Sequence, residues 1–410
     1  MLTRRIFMGA VSALALAAST AFASADVIKL GILAPLTGPA AADGQEVANG
    51  VKLAVEDLNK AGGIAGHTFE AVVADVGDAS ADKVATAAER LLGDQATGAI
   101  FTGYASTSNF EIDMMAEQDM IYLVSGNSQQ TKDIVSPDPS RFTTVWSLTP
   151  SYDAYNTEIV PVIDELATSG KLKLPNKKVA LVASDNPYSK GIANGMAEAF
   201  KAAGWEVTQN DLLPFGEIND WRGFLAKVRQ DPPALLINTD YVSANAATFM
   251  RQFMENPTNS LVFIQYAPSV PEFLELTKEK SSGIVYNALG GPVRAASNPR
   301  ADEVIGKYKA AYNVEPGSYG VMLYEQVMLY ADALAKVGDP AKRKEIGAEI
   351  GKADKQTAMG RTRFDPATHL AVQGKDGMPI QFYQIQDGKR VLFYPKDYAG
   401  GEFKQPVWMK

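Results

Sequence analysis

The apolar positions of this chain alternate between two periods. From Val27, VIKLGILA is a β-rich run of strand length. From Gln45 to Ala61, Val47, Val51, Leu53, Ala54, Val55 and Leu58 recur at helical spacing, and Gly62-Gly63 closes that helix. The strand HTFEAVVAD, a helix over 81–92, GAIFTG, a helix near 109–118 and MIYLVSG continue the alternation. A second series begins after Trp146. It runs helix 151–168, strand KKVALVAS, helix 188–203, strand WEVTQNDLL, helix 219–230, strand PALLIN, helix 243–255 and strand LVFIQY. Strands and helices alternating at these lengths predict parallel sheets covered by helices on both faces, an α/β fold with two similar halves.

Beyond Gly283 the pattern changes. GIVYNALGG reads as a crossover strand, followed by helices near 298–312, 318–337 and 340–353. Two aromatic strands, PIQFYQIQDG and KRVLFYP, close the chain through a QDGK turn suited to a hairpin. A chain that leaves its second half for helices and ends in late strands crosses between lobes more than once, which makes a hinge.

Composition narrows the classes. The chain has 410 residues, 46% apolar and 21% charged, with a formal net charge of −8. That fits a folded protein of two lobes and disfavours nucleic acid or an anionic membrane as partner. Residues 1–25 carry Arg4 and Arg5, a short apolar run from Ala10 to Ala18 and small residues before Asp26. This is the layout of a cleaved signal peptide, with cleavage after Ala23 or Ala25 and export by the Sec or the twin-arginine route. Cysteine is absent, so disulfides, thiolate metal sites, a cysteine nucleophile and a lipid-bearing cysteine are all excluded. The expected location is a periplasm, without a membrane anchor.

No catalytic, cofactor or metal motif is expected. The chain lacks GxGxxG, GxxxxGK[ST] and GxSxG, and its two histidines, His67 and His369, read as surface residues. Small hydroxyl residues instead recur just past strand ends, where open α/β sheets bind ligands. GAIFTG leads to Ser106, Thr107 and Ser108, and MIYLVSG leads to Asn127 and Ser128. A helix start there can hold a carboxylate on free N–H groups, although Ser and Thr also serve as simple caps. The second half offers Asp185 and Tyr188 in SDNPYSKG, Asp240 and Tyr241 in TDY, and Tyr266 in QYAPS.

APLTGPAAADGQEVANGVKLAVEDLNKAGGIAG (34–66), the strand to Asp75 with DASADK, and TGYASTS resemble the leucine/isoleucine/valine-binding (type I) family of periplasmic solute-binding proteins. ASDNPYSKGIANGMAEAFKAAGWEV and NDWRGFLAKVR extend the resemblance over essentially the whole mature chain. It implies two Rossmann-like lobes joined by three crossovers, 27–146 plus about 287–360 and 147–286 plus about 361–410. It further implies an amino acid held in the cleft and delivered to the permease subunits of an ABC importer in the inner membrane. The smooth loop 35–44 would face that ligand. Ser106, Thr107 and the segment Asn127 to Gln130 would hold its carboxylate, and Tyr188 matches the family's pocket tyrosine.

Two departures stand out. Asp43 occupies a position that is often aromatic in the family, and the glutamate expected to meet the ligand amine falls near Ala267. Either Asp43, Asp185 or Asp240 supplies the missing charge, or the ligand has no amine: an amide, a urea-like compound or an aromatic or other carboxylic acid. The same fold also serves ligand-sensing receptors.

Overall fold

The computed structural model describes residues 26–410; the expected signal peptide, 1–25, lies outside them. Two sheets organise the chain. The first contains β1 (Val27–Ala34), β2 (Thr68–Asp75), β3 (Thr97–Phe101), β4 (Ile121–Val124) and β5 (Val145–Ser147). All its pairings are parallel, in the order β2-β1-β3-β4-β5. The second begins with β6 (Lys178–Ser184), β7 (Glu206–Leu213), β8 (Leu235–Asn238), β9 (Leu261–Ile264) and β10 (Val285–Leu289). These repeat the first sheet's order as β7-β6-β8-β9-β10, so each sheet reverses its winding beside its first strand. After the two-stranded ribbon β11 (Asp354–Thr357) and β12 (Gly360–Arg363), the second sheet gains antiparallel β13 (Ile380–Gln386) and β14 (Lys389–Tyr394). The turn joining β13 to β14 has Asp387 and Gly388 at φ 50° and 73°, which a two-residue hairpin of type I′ needs.

The strands are buried because helices cover them. In the first lobe the helix Ala41–Lys60 packs along Ser318–Val337, so residues nearly 300 positions apart form one core with Leu30, Ile32 and Phe101. Gly50 permits that approach: a Cβ there would lie 2.6 Å from the Gly320 carbonyl oxygen. In the second lobe, Trp221, Phe249 and Phe253 fill one face of the sheet, and Phe200, Leu181 and Phe263 the other.

The chain passes between the lobes after β5, after β10 and before β13. All of β10 pairs in the second sheet, and Leu289 packs in that lobe's core. Phe364, Ala371 and Met378 pack in the first lobe's core. We therefore place the second and third crossings near Gly290 and Pro379, a few residues past 286 for the one and well past 361 for the other. Apolar side chains anchor each segment to the lobe whose core they fill.

His369 departs from its expected surface position. It is 4% exposed, stacks on Trp146 at 4.0 Å, and has Nδ1 3.0 Å from the Val145 carbonyl oxygen. Burial lowers its pKa. It fastens the segment after β12 to the first sheet's edge, where Leu370 bridges Ser147. His67 is half-buried at a turn.

Candidate functional site

A cavity lies between the lobes at the carboxyl ends of both sheets, the location open α/β sheets favour for ligands. Water centres can occupy about 60 Å³ of it. At ~10–15 Å³ of such space per water, that is room for roughly four to six waters, or a molecule of about amino-acid size. Among the described residues, no Asp, Glu, Lys, Arg or His lines it.

The first lobe contributes hydroxyls and backbone from three strand ends. Thr107 follows β3, Ser125 to Ser128 follow β4, and Thr149 follows β5. Asn127 sits at φ 54°, in the left-handed region that Asn tolerates better than most residues. Its side-chain amide donates to the Ser106 carbonyl at 2.8 Å, tying the two loops together. The helix Ser128–Val135 begins there, so its first N–H groups are free of helical partners.

The second lobe contributes rings. Asn186 caps the helix Pro187–Ala202 by accepting the Ser189 N–H at 2.9 Å, with Pro187 at the first helical position. This fixes Tyr188 in the first turn. The Tyr188 ring meets Tyr152 at 5.4 Å, Tyr155 at 6.4 Å and Tyr241 at 5.8 Å, all edge to face. Tyr241 in turn meets Tyr104 across the cleft at 5.9 Å. Tyr319 lies against Tyr104 and Tyr266. Seven tyrosines thus line one cavity.

Tyr266 is held in an uncommon backbone state, φ 58° and ψ −52°, with the Ala267 N–H donating to the Gln265 carbonyl at 2.6 Å. This is a γ-turn of the rare positive-φ kind, strained for a bulky residue. The turn carries the ring toward the first lobe, where its hydroxyl donates to Asp43 at 3.0 Å.

Of the residues singled out in the sequence, Thr107, Asn127, Ser128, Tyr188, Tyr241 and Tyr266 line the cavity. Ser106 does not: its hydroxyl donates to the buried Glu111 at 2.6 Å. Asp43 stands one side chain behind the wall, receiving Tyr104 at 3.1 Å and Tyr266 at 3.0 Å. Burial raises its pKa to about 7, against the pull of the two phenol hydrogen bonds. Asp240 is buried off the wall, accepting from the Val242 N–H and the Asn245 amide, and burial raises it to about 6. Asp185 points to solvent and pairs with Lys190 at 3.3 Å, so it supplies no charge to the cavity.

The loop 35–44 also differs from expectation, because none of its residues lines the cavity. Its smoothness comes from packing: a Cβ on Gly44 would lie 2.0 Å from the Pro35 carbonyl oxygen. The sequence reading missed Tyr104, Thr149, Tyr152, Tyr155, Asn186, Leu289, Tyr319 and Met322. Tyr104 and Asn186 stood inside the motifs TGYASTS and SDNPYSKG; Tyr319 and Met322, on a helix near residue 320, gave no local signal.

The periplasmic binding protein family model matches residues 27–390, and the chain belongs to that family. It is 26% identical to the Leu/Ile/Val-binding protein BraC3 of Rhizobium johnstonii, over 92% of this chain and 97% of that protein. It is also 26% identical to Leu/Ile/Val-binding protein homolog 7 of Brucella abortus, over 97% of this chain and 98% of the relative. Among solved structures, a proposed branched-chain amino acid ABC transporter from Silicibacter pomeroyi superposes with a TM-score of 0.82 at 29% identity, covering 94% of this chain and all of that one. LivJ of Streptococcus pneumoniae, solved with isoleucine, shares the fold at a TM-score of 0.72 and 21% identity, over 89% and 97% of the two chains.

Proposed function

We propose that this chain is the extracytoplasmic solute-binding component of an ABC importer, taking an amino acid of the branched-chain type into the cleft and presenting it to permease subunits in the inner membrane. The observation that carries this reading is the uncharged, tyrosine-ringed cavity where the carboxyl ends of both sheets meet. Thr107, Ser128 and the first N–H groups of the helix Ser128–Val135 are suited to a carboxylate, and Tyr188, Tyr241, Leu289 and Met322 to the side chain. Micromolar affinity needs only about −8 kcal/mol, within reach of a few desolvated hydrogen bonds and buried rings. Tyr266 reaches Asp43 and Tyr241 meets Tyr104 across the cleft, and a shut state resting on these contacts would be distinct in shape and available for the permease to read.

The relatives named above are binding proteins, and the reading here is binding without turnover. Among the described residues no helix is long and apolar enough to cross a membrane, and export is assigned to residues 1–25. A second reading, an aromatic acid as cargo, draws on the seven rings at the wall.

The test is to unfold, wash and refold the mature protein, then screen amino acids and aromatic acids by thermal shift. A ligand at 100 times its Kd adds about 2.7 kcal/mol of stability, a visible rise in Tm. No shift with any small carboxylate refutes the reading.

A further inference from the structure

Both lobes send a tyrosine hydroxyl to the same buried acid. Tyr104, after β3, donates to Asp43 Oδ2, and Tyr266, after β9, donates to Asp43 Oδ1. Both tyrosines line the cavity and Asp43 does not. A phenol has one proton; once it points at the carboxylate, only lone pairs remain to face the cavity. Tyr155 is arranged the opposite way, since its oxygen takes the Leu289 N–H at 2.7 Å and keeps its proton to give. Two phenols of a wall that, among the described residues, has no charged side chain are therefore committed to accepting, polarised by the one carboxylate they share.

We propose that Tyr104 and Tyr266, fixed as acceptors by Asp43, receive a protonated amine, so that Asp43 acts as a positioning residue selecting ammonium-bearing ligands over their amine-free counterparts. This rests on the cleft-binding reading above. An ammonium taken from water needs acceptors and a compensating charge, and the pair of phenol oxygens over Asp43 supplies both, with the tyrosine faces adding cation–π attraction.

Charge linkage gives a second signature. Burial leaves Asp43 with a pKa of about 7 in the empty cleft, and a cation beside its tyrosines lowers it, so loading releases a proton near pH 6. Other groups face the same region. Glu46 on the same helix is raised to about 8, Glu272 opens the helix Pro271–Thr277, and Arg390 on β14 faces Glu46. Tyr241 and Tyr319 complete the surroundings. Asp43→Asn removes the Asp43 share and leaves theirs.

The experiment is calorimetric titration of the refolded protein with matched probes: L-leucine against 4-methylpentanoate, and L-phenylalanine against 3-phenylpropanoate. In the wild type the amine-bearing member of a pair binds at least about tenfold tighter, and its affinity falls as pH drops from 8 to 5.5. Asp43→Asn shrinks the ratio to within about threefold by weakening only the amine-bearing member, and flattens the pH profile. Tyr266→Phe, which keeps the ring and deletes one acceptor, shrinks the ratio in part and decides the matter should Asp43→Asn fail to fold. Equal weakening of both members, an unchanged ratio, or tighter binding of the amine-free member to the wild type overturns the relay alone. If none of the four probes binds, the cleft reading fails and the relay with it.

Discussion

Asp43 and Glu111 are both fully buried acids, and each takes hydrogen bonds from two hydroxyl groups. Glu111 holds Ser106 at 2.6 Å and Tyr122 at 3.0 Å, all within the first lobe. Asp43 holds Tyr104 and Tyr266 at 3.1 and 3.0 Å, one from each lobe, and both rings border the cavity. Burial raises the pKa of both acids, so local chemistry does not separate them. Connectivity does. Glu111 ties a loop to its own sheet, whereas Asp43 takes one hydroxyl from each lobe and so ties the two lobes together. A buried acid of one kind is scaffold within a lobe, and of the other kind is a tie between lobes.

The largest effect expected from breaking this comparison is on stability. Glu111→Ala strands the Ser106 and Tyr122 hydroxyls in a dry site and should cost about 2–4 kcal/mol in urea unfolding. The affinity of the refolded variant for leucine should stay within about threefold. Next come the neighbours Ser106 and Thr107. Thr107→Ala should weaken leucine binding by about 1.5–3 kcal/mol in calorimetry, the worth of a hydrogen bond to a charged group, with little change in Tm. Ser106→Ala should do the reverse, losing about 1 kcal/mol of stability and little affinity.

A third effect is the slope of stability with pH. Asp240, Asp43 and Glu46 are raised to about 6, 7 and 8, above the unfolded values of 3.8 and 4.5. The native state therefore binds more protons than the unfolded chain between about pH 4 and these values, and stability falls as pH rises through that window. Each group contributes at most about 1.4 kcal/mol per pH unit. Urea midpoints of the ligand-free protein should decline from pH 5 to pH 8, and more gently in Asp43→Asn. The smallest effect belongs to Asp185→Asn. Its exposed pair with Lys190 should be worth less than about 0.5 kcal/mol in either stability or affinity.

Much of the fold was legible because its signals are local. The strand Val27–Ala34 and the helices Ala81–Leu92 and Ser318–Val337 follow from periodicity alone, and the QDGK turn announced its hairpin. The ribbon Asp354–Thr357 with Gly360–Arg363 was not read, since four-residue polar strands carry no period to detect. The site was legible where it follows a strand end, as at Thr107, Asn127 and Tyr188. It was not legible where partners are set by packing. Ser106 and Thr107 are adjacent in the sequence, yet only the buried Glu111 decides which hydroxyl is consumed. Tyr104 and Tyr266 acquire their shared acid through the meeting of two lobes, a fact no window of sequence contains.

The placement of Asp43 one hydroxyl behind the wall has a consequence for how such a pocket diverges. Wall residues other than Tyr104 and Tyr266 can drift, widening or narrowing the space, while the two phenols and the acid they share pass unaltered from ancestor to descendant. A single change at Asp43 would do the opposite, leaving every contact in place. With the relay proposed above, shape and charge preference are inherited largely on different codons, and a mutagenesis library restricted to wall residues would reach the second only through Tyr104 and Tyr266.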